Sequence, residues 1–245
     1  MQPWAVLSLS LAGVERTTWD SPRAAIEWVA ARGFRAIHLD ASMPGLRPRE
    51  LDGSSRRGIL SLLRRLELRL SGLDLWIPPE HFARPDTQQR AFDAAEAAIL
   101  FTADLRAVGP SATVCIRLPK EPGPWRDHLA AAGSRHGVTI ADFNATEAVG
   151  EPIVVGIGVD PAASLLRGDD PAGLVSRAGA SLACARLSDA NGSRRVAVGS
   201  GKLDAMAYGI ALATAGYLRP VVLDISDVDS PDSAAGAGKE AWPPV

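Results

Sequence analysis

Lysine is nearly missing from this chain, present only at positions 120, 202 and 239, and the basic residues together number 26 against 28 acidic ones. A formal charge of -2 therefore carries no cationic excess, and the electrostatic footprint of a nucleic-acid or anionic-membrane binder is absent. Cysteine is equally scarce. Cys115 and Cys184 are too few for a disulfide framework, and each falls inside an apolar run, so both are expected to be free, buried thiols in a reducing cytoplasm. No apolar stretch reaches the roughly 18 to 20 residues that a membrane span requires, and no basic leader precedes the short apolar run between Met1 and Leu11, so neither insertion nor secretion is expected.

What the chain does have is 245 residues that are 47% apolar, enough for one large core and one domain. The repeating sign is a short β-branched or leucine-rich run, a polar turn, then a longer alanine-rich stretch of helical period, which predicts βα units on a parallel sheet. Eight strands are predicted: Ala5 to Leu11, Arg35 to Leu39, Leu70 to Leu75, Ala112 to Leu118, Val138 to Asp142, Ile153 to Val159, Ser181 to Leu187 and Val221 to Ile225. Helices are predicted over Ser21 to Arg32, Ser54 to Arg69, Thr87 to Val108, Trp125 to His136, Pro171 to Ala178 and Leu203 to Gly216. Only Asn144 to Pro152 separates the fifth and sixth strands, leaving room for one helical turn at most. The fold class is thus α/β, a (β/α)8 TIM-type barrel with an abbreviated unit between strands 5 and 6, spanning 1–228. Residues 229–245 are rich in Ser, Asp, Gly and Pro and read as a tail that is surface-bound or disordered, with Trp242 able to tack it down.

Side chains alternate across a strand, and the apolar set should face the helices. Ile37 and Leu39 then turn His38 and Asp40 inward, and Val114 and Ile116 turn Thr113, Cys115 and Arg117 inward. The same parity sends Ser8, Ser10, Asp74, Asp160, Arg186 and Asp224 to the interior. Barrel sites form at the carboxyl ends of the strands, so His38, Asp74 and Asp224 are candidate proton-transfer groups. Asp40, His81, Arg117, Asp160 and Arg186 are candidate substrate-binding groups, His81 from the loop after the third strand. Asp189 precedes Ala190-Asn191-Gly192 and fits backbone capping better than catalysis. Gly199-Ser200-Gly201, ahead of a helix, could offer backbone N–H groups to an anion, with Lys202 beside it.

The runs Gly33-Phe34-Arg35-Ala36-Ile37-His38-Leu39-Asp40, Gly137-Val138-Thr139-Ile140, Gly158-Val159-Asp160, Arg186-Leu187-Ser188-Asp189, Gly199-Ser200-Gly201-Lys202-Leu203-Asp204 and Gly216-Tyr217 to Asp224 together resemble the sugar phosphate isomerase/epimerase family, within the xylose isomerase-like TIM barrel superfamily. The resemblance implies a divalent metal at the mouth held by a Glu, Asp, His, Glu set, with proton transfer between adjacent sugar carbons. This chain departs from that set. Phe143 stands where the first glutamate is expected, with Asp142 one residue early and turned to the other face. Asp160 matches the aspartate, Ala163 replaces a histidine, Arg186 replaces the histidine ligand, and Asp224 replaces the last glutamate. Two carboxylates without imidazole suit a transition metal poorly, so no metal ligand and no cofactor is assigned. Arg186 is expected in the metal's place, paired with Asp160 and Asp224.

The resemblance thus implies a divergent isomerase or epimerase-like barrel acting on or binding a small sugar or polyol. The alternative is a non-catalytic sugar-binding or regulatory barrel. A DNA-repair endonuclease on this fold would need several metal-binding histidines and a basic surface, and the chain has 4 histidines. An open pocket holding a carboxylate or imidazole with an arginine favours turnover. A mouth plugged by Trp76, Phe82 or Phe143 favours its loss. Oligomeric state is not legible.

Overall fold

The computed structural model describes residues 5–12, 21–121, 123–150 and 153–242. Its strands are β1 (Leu7–Ser10), β2 (Ala36–Asp40), β3 (Arg69–Asp74), β4 (Thr113–Ile116), β5 (Thr139–Asp142), β6 (Val155–Val159), β7 (Leu182–Leu187), a hairpin of β8 (Asp189–Asn191) and β9 (Arg194–Val196), and β10 (Val221–Leu223). All but the hairpin strands are parallel and close into a barrel in the order β1-β10-β7-β6-β5-β4-β3-β2, with β1 bonded to β2 on one side and β10 on the other. Each of the eight strands expected from the sequence is present, with ends within two residues.

The helices are α1 (Pro22–Ala31), α2 (Gly53–Arg65), α3 (Glu80–Ala83), α4 (Gln88–Asp104), α5 (Trp125–His136), α6 (Pro161–Arg167), α7 (Pro171–Ala178), α8 (Ala205–Thr214) and α9 (Pro231–Ala241). Their ends follow from capping. Ser21 accepts a hydrogen bond from the Ala24 N–H and Pro22 opens the first turn of α1. Three predicted helices are shorter than expected. Helix α2 stops at Arg65 because Glu67 takes φ 54, a left-handed break that frees Arg69 to begin β3. Asp204 accepts from Ala207 N–H and so starts α8 two residues later than the apolar period implies. Helix α4 ends at Asp104, with Leu105 to Val108 turning toward β3.

Between β5 and β6 the described residues form turns and a single bridge, Val149 to Val155, rather than a helix. The segment after 228, read from composition as a surface or disordered tail, carries α9. Ser230 caps it, and its small residues Ala234, Ala235 and Gly238 are buried. A Cβ at Gly238 would sit 2.5 Å from Leu223, so glycine lets the helix lie directly on β10. Trp242 then donates from its indole to the carbonyl of Ala5 at 3.0 Å.

Face alternation holds. Ile37, Leu39, Val114 and Ile116 join the large core between strands and helices, whereas Cys115, Ala141, Ala183, Cys184 and Val222 form a small cluster inside the barrel. Both thiols are free and buried. No helix among the described residues is long and apolar enough to cross a membrane.

Candidate functional site

Two arginines organise the carboxyl-end face. From β7, Arg186 donates Nη1 to Asp224 Oδ2 at 2.6 Å and Nη2 to Asp74 Oδ1 at the end of β3. From β9, Arg195 donates Nη1 to the same Asp224 oxygen at 3.2 Å and Nη2 to Asp160. Arg117, just past β4, stands 3.7 Å from Asp160. Serines fill the remaining acceptor positions: Ser10 donates to Asp74 at 3.1 Å, Ser188 to Asp160 at 2.8 Å and Ser226 to Asp224 at 2.6 Å. Charges therefore alternate across the mouth, from Asp74 through Arg186, Asp224, Arg195 and Asp160 to Arg117.

The alternation sets the protonation states. Burial alone would raise both carboxyls, but Arg186 and His38 hold Asp74 below its ordinary value, and Arg186 with Arg195 holds Asp224 well below it. Burial likewise opposes the charge on Arg186, and Asp74 and Asp224 reverse that, so its pKa lies well above the usual one.

His38 extends the series inward. It is 0% exposed, contacts Ser71 Oγ through Nδ1 at 3.1 Å, and places Nε2 3.4 Å from Asp74 Oδ1, outside hydrogen-bond geometry. Gly72 makes room for the ring, since a Cβ there would lie 2.6 Å from the imidazole. Desolvation pushes the imidazole toward neutrality, yet the Asp74 carboxylate outweighs it and raises its pKa to about 9. Burial pushes the Cys115 thiol well up, so it is held as a thiol.

Phe143 and Trp76 flank Arg186. The guanidinium carbon lies 4.8 Å from the Phe143 ring centre and 5.9 Å from that of Trp76. Phe143 in turn lies on Gly158, where a Cβ would come within 2.7 Å of its ring. A cavity of about 290 Å³ opens beside this sandwich, lined by Asp74, Trp76, Pro78, Pro79, Ile116 and Arg186 among others. A larger one, about 670 Å³, lies across Arg117 and Phe143 and includes Asp160 and the segment after β5. Arg117 and Phe143 line both.

The structure gathers some sequence candidates and separates others. Asp74, Arg117, Asp160, Arg186 and Asp224 share one network. Arg186 pairs with Asp74 and Asp224, however, and not with Asp160 as expected, because Arg195 reaches Asp160 first from the hairpin. Asp160 also caps α6, accepting from Ala163 N–H at 3.3 Å. Asp40 spends both oxygens on Ser42, at 2.7 and 2.8 Å, and lines neither cavity. His81 lies on α3 and also lines neither. Phe82, offered as a plug, is fully buried against Phe92 and is not at the mouth. Asp142 faces outward to Arg126 of α5 at 2.9 Å, as alternation requires.

Asp189 is a capping residue, accepting the N–H groups of Ala190, Gly199, Gly201 and Leu203. It thereby fills the place an anion would take at Gly199-Ser200-Gly201, and Gly201 has no space for a Cβ against it. Arg195 is the site residue missed by the sequence reading. Asn191-Gly192 before it is a hairpin signal that would have raised it over the mouth.

The residues present do not fit the divalent metal that the family resemblance implies. The expected glutamate is Phe143, the expected imidazole is the guanidinium of Arg186, and the two surviving carboxylates are bound by arginines. His38, Asp74 and Cys115 do bring one nitrogen, oxygen and sulfur within 4.8 Å of one another. Both oxygens of Asp74 are already engaged by Arg186 and Ser10, which leaves that trio without a free carboxylate.

No family model matches the sequence, and no curated protein matches it. Solved structures do. A xylose isomerase domain protein from Planctomyces limnophilus superposes with a TM-score of 0.71 at 14% identity, covering 98% of this chain and 96% of that one. D-psicose 3-epimerase from Clostridium cellulolyticum gives 0.67 at 15% identity, over 96% of each chain. A probable 3-DHS dehydratase from Bacillus anthracis gives 0.71 at 8% identity, over 96% of this chain and 97% of that one. The chain has the fold of the xylose isomerase-like TIM barrels.

Proposed function

We propose that the mouth of this barrel binds a small sugar or polyol without a divalent metal, and that proton-transfer turnover has been lost. The observation that carries this reading is the double engagement of Arg186 with Asp74 and Asp224. A general base needs a free lone pair within reach of the substrate proton and a pKa near the working pH. Asp74 and Asp224 are buried carboxylates held low by arginines, and His38 lies beneath them with no exposure. Binding needs less. Trp76 is 48% exposed at the rim and offers a ring face to the C–H side of a sugar, with hydrogen-bonding groups close by. The epimerases of D-psicose and D-allulose among the structural neighbours support carbohydrate as the ligand class.

A second reading, a divergent isomerase or epimerase, is favoured by one observation: Asp74 and Arg186 line the same cavity. The two readings part in a single experiment. Melting temperature is followed against a panel of neutral and charged sugars and polyols, with and without EDTA, and the same sugars are incubated with protein in deuterium oxide. Binding raises the melting temperature by mass action. The expected result is stabilisation by a panel member, unaffected by EDTA, with no deuterium entering carbon. Deuterium uptake would establish the isomerase reading instead, and no stabilisation by any sugar, neutral or charged, would overturn both.

A further inference from the structure

We infer that the ligand of this site carries an anionic group, a carboxylate or a phosphate ester on a polyol body, and that Arg117 receives it. The inference rests on the sugar-binding reading above and narrows it. Its basis is the exposure and loose pairing of Arg117 together with the charge left over in the larger cavity. Arg186 and Arg195 each satisfy two carboxylates and are almost fully covered. Arg117 is different. Its side chain is 46% exposed, and its one ion contact is a loose 3.7 Å approach to Asp160, an oxygen already taken by Arg195.

The larger cavity shows the same surplus. Among the cations that line it, Arg126 closes on Asp142 at 2.9 Å and Arg167 on Asp169 at 3.0 Å. Lys120 and Arg177 line it with no ion-pair partner among the described residues. With Arg117 set against Asp160, one uncommitted carboxylate, Glu147, stands against Lys120 and Arg177. A cavity of about 670 Å³ with a positive charge in excess, and with the half-exposed Arg117 guanidinium in its wall, suits an anion on a chain whose net charge is -2. A neutral polyol has no use for the excess.

The two cavities also divide the ligand. Arg117 lines both, so an anion on its guanidinium leaves the body of the molecule free to lie in the smaller, mostly apolar recess between Trp76, Pro78, Pro79 and Ile116. The planar fork of arginine suits a carboxylate and a phosphate equally, so the geometry fixes the charge and not its source.

The test compares glucose, gluconate, glucose 6-phosphate and inorganic phosphate by calorimetric titration at low and high salt, on wild type and on Arg117→Ala and Lys120→Ala. Gluconate or glucose 6-phosphate is expected to bind at least about tenfold tighter than glucose, to weaken with salt, and to lose that margin in Arg117→Ala. Preference for gluconate identifies a carboxylate, and preference for glucose 6-phosphate a phosphate ester. Arg90→Ala, the same charge change at an exposed helix position that lines neither cavity, should leave the margin intact. Because Arg117 is half exposed and loosely paired, its alanine variant should melt within a degree or two of wild type, which separates lost binding from lost folding. Equal affinity for the three sugars, unaltered in Arg117→Ala, would overturn the inference while leaving sugar binding intact. Inorganic phosphate bound as tightly as the sugar derivatives would overturn it too, by reducing the site to one for a free ion. Binding by none of the four would remove both readings.

Discussion

Arg186 and Asp224 meet inside the barrel mouth at 2.6 Å, a charged hydrogen bond between β7 and the end of β10. A fixed monovalent cation there needs two carboxylates to balance it, and Asp74 supplies the second. Arg195 then shares Asp224 with Arg186 and carries the alternation on to Asp160.

Arg186→Met should be strongly destabilising. It leaves Asp74 and Asp224 buried without their main partner, and breaking a buried pair in this way costs about 3–5 kcal/mol. Arg186→Lys should recover only part of that, because an ammonium cannot present two parallel donors to two carboxylates. Urea unfolding of the two variants checks both statements, and equal loss in the two would deny a role for the guanidinium fork.

Stability should fall on the alkaline side. The groups facing His38 are Asp74, Cys115 and, across Asp74, Arg186. Its pKa is raised from 6.5 to about 9, so its contribution is complete below pH 6.5 and lost as pH rises toward 9. A shift of that size corresponds to about 3 kcal/mol. Urea midpoints measured from pH 6 to 9.5 should show this decline, and His38→Gln should flatten it. Asp74 and Asp224 act in the other direction. Their depressed pKa values contribute stability above the ordinary carboxylate range, and it disappears only as pH falls through the lowered values.

Gly158→Ala should disturb the site without touching a charge. The added methyl would meet the Phe143 ring at 2.7 Å and push it off Arg186, an overpacking cost of about 1–3 kcal/mol. Pairing it with Phe143→Leu should restore part of the stability. Additive losses in thermal melts of the single and double variants would deny the contact.

Asp189→Ala should loosen the hairpin. Four N–H groups lose their acceptor, and unsatisfied buried donors cost about 1–3 kcal/mol each where water cannot replace it. Hydrogen exchange at Gly199, Gly201 and Leu203 should accelerate. Unaltered protection there would refute the capping role.

The barrel was legible because its signals are local and repeated: eight apolar runs, and turn and cap residues between them. The cap of α6 was just as explicit, Asp160 followed by Pro161, but Asp160 had been read for its charge and the helix behind it went unseen. The segment after 228 was hidden for another reason. Its Ala and Gly residues look like a linker in composition and work as the flat face that lets α9 approach β10. Alternation correctly brought Asp74, Arg186 and Asp224 to the interior, since parity is fixed by the pleat. It could not say which carboxylate Arg186 would choose. That choice depends on Arg195, which comes from a hairpin outside the barrel and obeys no barrel parity. Parity and loop position alone did not fix the surroundings of Asp40 and His81: Asp40 bonds Ser42 within its own loop, His81 lies on α3, and neither lines a cavity.

The most direct measurement of the central claim is the divalent metal content of the purified protein, by elemental analysis, together with its melting temperature before and after EDTA. Far less than one metal ion per chain is expected, with a melting temperature that EDTA does not move. One tightly held ion per chain, lost to EDTA with a fall in stability, would contradict the replacement of the metal by Arg186.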